Sequence, residues 1–102
     1  MVPDNPPAPT GATWGGGVEP VIVTFDKPLQ AVPAISAPAY GARLANFGQT
    51  IVSGSVLGST LTLFRTADKA STGFNAVWYN GTPADLVGLD MQPVVPFSIN
   101  TT

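Results

Sequence analysis

The chain has 102 residues, enough for one domain with a modest core. It is 44% hydrophobic and only 10% charged, with a net charge of −2; an average soluble domain is about 25% charged. Histidine and cysteine are both absent, which excludes disulfides, thiolate metal sites and the usual nucleophile–base pairs.

The four basic residues (Lys27, Arg43, Arg65 and Lys69) are dispersed, so no stripe exists to track phosphates and nucleic acid is not an expected partner. A chain this poor in charge either draws its surface polarity from Ser, Thr, Asn and Gln or keeps surface against something else. No apolar run is long enough to span a membrane, and the start lacks the basic and apolar regions of a signal peptide.

Residues 1–17 read as an arm and residues 18–102 as the folded domain. Pro3, Pro6, Pro7 and Pro9 favour extended, polyproline-like backbone and lack amide donors. Gly15, Gly16 and Gly17 follow as a joint, with Trp14 the only aromatic before them. Such a segment is either a disordered tail or an arm that docks along a neighbouring subunit. On the docking reading its removal leaves the fold intact.

The first strand is expected over residues 18–25, with Val21, Val23 and Phe25 on one face. After an Asp26-Lys27-Pro28 turn, residues 29–38 form an interrupted extended segment around Val32 and Ile35. Pro28, Pro33 and Pro38 exclude a helix there and favour an edge or an irregular crossing. Residues 40–47 read as a loop or single turn because of Gly41 and Gly48. Residues 49–56 alternate as a strand, with Gly54 the expected bulge.

Residues 59–79, STLTLFRTADKASTGFNAVWY, read as an antiparallel hairpin around a polar turn. Leu61 and Leu63 share one face with Arg65, opposite Thr60, Thr62 and Phe64. In the second arm Phe74, Ala76 and Trp78 are placed in the core, which leaves Tyr79 as the aromatic expected at the surface. Asn80-Gly81 is a turn dipeptide, because both residues tolerate positive φ. Residues 86–91 and 94–99 complete the set, with Pro93 and Pro96 keeping the last strand near an edge. About seven short strands and no credible helix predict an all-β fold: a small antiparallel β-sandwich or barrel carrying a Pro-rich arm.

Glu19, Asp26, Asp68, Asp85 and Asp90 are the candidate carboxylates for a glycosidase pair or a calcium site. Nearly all lie beside turn residues, where carboxylates usually bond backbone amides, and no DxDxDG-like loop joins Asp85 to Asp90. The expectation is therefore no enzyme, no metal and no cofactor. The residues offered to a partner are Pro6, Pro7, Trp14 and Tyr79, because aromatics and preformed extended prolines give rigid contact area.

The run Val21-Ile22-Val23-Thr24-Phe25-Asp26-Lys27-Pro28-Leu29, followed by Val32-Pro33-Ala34-Ile35, resembles a recurring strand pair in β-sandwich modules of tailed-bacteriophage virion proteins. Thr72-Gly73-Phe74-Asn75-Ala76 resembles a later strand of the same modules. Together they cover about a fifth of the chain; the Pro-rich arm and the VVPF stretch near the end depart from the pattern. The resemblance implies a structural or adhesive virion part with no active site. The expected role is a capsid decoration or cement protein that contacts the major capsid protein as a homo-oligomer such as a trimer. The alternative is a carbohydrate- or receptor-binding tail or fibre module that uses Tyr79, Trp14 and loop asparagines.

Overall fold

In a computed structural model, residues 6–14, 20–44, 47–49, 51–65, 76–81, 85–89 and 91–101 are described. They form two four-stranded antiparallel sheets. The first contains β1 (Pro9–Trp14), β2 (Val21–Phe25), β5 (Ile51–Leu57) and β6 (Thr60–Arg65), in the order β1-β2-β6-β5. The second contains β3 (Tyr40–Leu44), β4 (Phe47–Gln49), β7 (Ala76–Tyr79) and β8 (Phe97–Asn100), in the order β4-β3-β7-β8. The chain is an all-β domain, as its alternation predicts.

The core lies between the sheets and is built by that alternation. Along β2, Val21, Val23 and Phe25 point inward while Ile22 and Thr24 point out. Leu61 and Leu63 do the same on β6, where Phe64 is exposed. Across the core the rings form a connected series. Phe25 meets Phe97 edge-on at 5.6 Å, Phe97 lies 5.8 Å from Tyr79, and Tyr79 lies 5.2 Å from Tyr40. These separations fall in the favourable range for aromatic pairs, and the series ties β2 of one sheet to three strands of the other.

The hairpin expected over residues 59–79 does not form. β6 pairs with β2 on one side and β5 on the other, so both of its edges are occupied. β7 lies in the second sheet between β3 and β8. Alternation assigns faces to a strand but not partners, and the intervening residues 66–75, which include Phe74, lie outside the described residues. The hairpin that does form joins β5 to β6 through a tight turn. Gly58 there takes φ +61°, and the Thr60 hydroxyl donates to the Leu57 carbonyl at 2.9 Å. Only glycine adopts that φ at no steric cost.

Three further expectations are corrected. Residues 40–44 are a strand rather than a loop, because Gly41 is a packing position: the Trp78 indole lies directly over it, in the space a β-carbon would need. Gly54 is no bulge; the register shift falls between Ile51 and Ser53. A β-carbon on Gly54 would press on the Thr62 carbonyl of β6 and lie 3.2 Å from the Ile35 side chain.

The third correction concerns the arm. Within the span assigned to it, residues 9–14 form β1 and pair with β2, so the sheet begins before residue 18. The prolines end at Pro9, which leaves the amides of residues 10–14 free to build a ladder. Ala12 is buried in the core and bridges Thr101 just beyond β8, joining the two sheets along one side. On the other side, Val32 exchanges two hydrogen bonds with Val56, and the Ile35 amide donates to Gly54 at 3.1 Å. The proline-interrupted segment thus covers the outer edge of β5, which would otherwise offer unpaired amides to another chain.

Candidate binding surfaces

The residues predicted to meet a partner separate in the structure. Pro6 is half-buried and Pro7 buried against their own chain. The next residue is clamped there: the Ala8 amide donates to Asp26 Oδ1 at 2.9 Å, and the Asp26 amide donates to the Ala8 carbonyl at 3.0 Å. Trp14 pairs with Val21 at the end of β1, and its side chain lies outside the described residues. Tyr79 is a core residue, only 2% exposed, whose hydroxyl accepts the Leu86 amide at 3.3 Å. Tyr79 and Pro7 therefore offer no contact area to a partner, contrary to the sequence reading.

Trp78 takes the outward position instead. Val77 and Tyr79 face the core beside Ala42 and Tyr40 of β3 and Ile99 and Phe97 of β8. That register sends Trp78 to the opposite face, between Gly41 and Ser98, where it is 37% exposed. The sequence carries one partial signal for this outward phase. Val77 and Tyr79 present more apolar area to a core than Ala76 does, and a glycine on a neighbouring strand makes room for an indole.

Among the carboxylates, Asp26 and Asp85 both serve backbone amides, Asp85 Oδ2 accepting the Ser36 amide at 2.6 Å. Glu19, Asp68 and Asp90 lie outside the described residues. Among the described residues no group of three or more His, Cys, Asp or Glu could hold a metal ion, and no helix is long and apolar enough to cross a membrane.

Among the described residues two buried hydroxyls, those of Tyr40 and Thr101, make no hydrogen bond of regular geometry. The Tyr40 hydroxyl lies beside the Asp85 carboxylate without a hydrogen bond of regular geometry to it. Burial, reinforced by the nearby Asp85 carboxylate, holds its pKa far above the usual tyrosine range. Folding therefore favours the neutral phenol, and this contribution to stability is complete below the unfolded value of about 10 and lost as pH rises beyond it. Urea unfolding between neutral pH and strongly alkaline pH should show stability falling above that value. The Tyr40→Phe chain should lose less over the same interval; an identical loss would assign the alkaline sensitivity elsewhere.

Two features of the described surface bear on binding. The first is an open cleft of about 390 Å³ beside Trp78, lined also by Pro38, Gly41, Ile51 and Asn80. The second is an apolar end. Leu57 is 76% exposed, Met91 72% and Leu89 60%. Leu57 lies at the β5–β6 turn, whose Gly58 carbonyl accepts the Leu29 amide at 2.9 Å. Leu29 also bridges Gly88, at the base of the loop that carries Leu89 and Met91. That loop is held by its own bonds, Gly88 amide to Gln92 carbonyl at 2.8 Å and Val94 amide to Leu86 carbonyl at 2.9 Å. Met91 sits there at φ 69°, a left-handed conformation that a residue of its kind adopts only under constraint. Comparison of the chain with family models, curated proteins and solved structures finds no match.

Proposed function

We propose that this chain is a non-enzymatic structural module of a tailed-phage virion, a decoration or cement protein that binds the major capsid protein on the head as a homo-oligomer. The observation that carries the reading is the apolar end. Leu57, Leu89 and Met91 project from two turns fixed on either side of Leu29, in a chain with little charge elsewhere to keep it apart from neighbours. Large apolar side chains on rigid turns contribute nothing to their own core and lose little entropy when a partner covers them. The resemblance of residues 21–35 to virion sandwich modules supplies the kind of partner.

The role once given to the arm passes to this end, because residues 9–14 are occupied in their own sheet. The test is a triple variant, Leu57→Ser, Leu89→Ser and Met91→Ser, sedimented with heads that lack the protein. Each site is solvent-facing, so the urea midpoint should stay close to that of the parent. Head binding should weaken by about a thousandfold or more, since burying each of the three apolar side chains is worth about 1.5–3 kcal/mol. Undiminished binding by a folded triple variant would remove the apolar end from the interface.

A further inference from the structure

We infer that the cleft beside Trp78 is a binding site for a neutral saccharide, stacked on the indole. The geometry of Trp78 is the starting point. Atoms Cε2, Cζ2 and Nε1 of the ring lie over the Cα of Gly41, so one face of the indole is packed on β3. The side chain remains 37% exposed, so part of the ring meets solvent. Covering a glycine requires only one face of a ring, and the cleft lies beside the rest of it. Its N–H makes no hydrogen bond among the described residues, so a donor is available at the ring's edge.

The surroundings select the ligand class. The cleft beside the indole is bounded by Pro38 and Asn80, and none of the described residues that line it carries a charge. A phosphate, carboxylate or cationic ligand would find no counter-charge among the described lining residues and would lose hydration on entry. A purely apolar ligand is better served by an enclosed pocket, whereas this site is open on one side. A pyranose ring suits all three features. Its axial C–H face packs on the indole, and its hydroxyls reach the indole N–H and the Asn80 region while the outer edge stays in water.

The supporting wall is fixed. Asn80 donates through its Nδ2 to the Pro38 carbonyl at 2.9 Å, and its backbone amide donates to the Ala39 carbonyl at 2.8 Å. The segment after β7 is thereby tied to the turn before β3, and the cleft keeps its shape when empty. A preformed site loses less on binding than one that must be assembled.

The experiment follows the indole N–H resonances of the whole chain during titration with neutral tetrasaccharides: α-linked glucose, β-linked glucose and β-linked N-acetylglucosamine. The Trp78 signal is identified by its loss in Trp78→Phe. At least one of the three should move that signal saturably below about 10 mM. Trp78→Ala should weaken the same binding by about tenfold or more, and Trp78→Phe, which keeps a ring over Gly41, by less. If none of the three moves the Trp78 signal, or if binding survives Trp78→Ala unchanged, the site is not a saccharide platform. Head binding by the apolar end is independent of either result.

Discussion

Replacing Tyr79 with alanine is expected to lower stability by about 3–5 kcal/mol, the usual cost of removing a buried aromatic ring. The side chain lies between Tyr40 and Phe97, with centroids at 5.2 and 5.8 Å, so its loss opens a cavity in the middle of the aromatic series. It also leaves the buried Leu86 amide without the hydroxyl that accepts it. Small domains hold only about 5–15 kcal/mol in total, so much of the Tyr79→Ala population should be unfolded at physiological temperature. Tyr79→Phe separates the two contributions: it keeps the ring and abandons the amide, at about 1–3 kcal/mol. Urea titration of both variants is decisive, because a surface platform at this position would show changes within about 0.5 kcal/mol.

The second large effect is expected from deleting residues 1–14. An arm that merely reached for a neighbour would be dispensable for folding. β1 is instead a full edge strand whose residues pair with β2 from Pro9↔Phe25 to Trp14↔Val21. Its loss removes several ladder hydrogen bonds, each worth about 1 kcal/mol net. It also removes buried Ala12 and Pro7 and breaks the Ala12–Thr101 bridge between the sheets. The exposed edge of β2 would then be free to pair with other chains. The truncated protein should lose its cooperative urea transition or aggregate; a transition unchanged in midpoint and slope would mean that β1 adds nothing to the core.

What the sequence disclosed divides along physical lines. The inward faces of β2 and β6 were legible, because Val23 and Phe25 flank Thr24, and Leu61 and Leu63 flank Thr62. Strand partners were not. The alternation of residues 60–65 is equally compatible with pairing to residues 74–79 or to β5, and only the assembled sheets decide between them. The phase of β7 was lost for a related reason. Trp78 and Tyr79 are both good strand residues, and the choice between them rests on Tyr40 and Phe97 on one face against Gly41 and Ser98 on the other. Gly41 misled because a glycine forced by packing and a glycine that ends an element look the same in a sequence. The prolines misled by proximity: they accounted for residues 3–9 and were extended to residues 10–14, which have amides to donate.

The candidate surfaces were still less visible. Leu57, Leu89 and Met91 are ordinary apolar residues in the sequence, and their exposure follows from two turns meeting at Leu29 across distant parts of the chain. The cleft beside Trp78 likewise requires the turn before β3 and the segment after β7 to be brought together. Neither surface has a local motif. Both arise from tertiary placement.

The claim that the chain is an assembly part of a phage head is tested most directly by sedimenting the intact protein with heads of the same phage that lack it. The account predicts saturable pelleting at a fixed ratio to the major capsid protein, the behaviour of a protein with defined sites on a lattice. Protein that stays in the supernatant at every concentration, with heads shown to be intact, would contradict it.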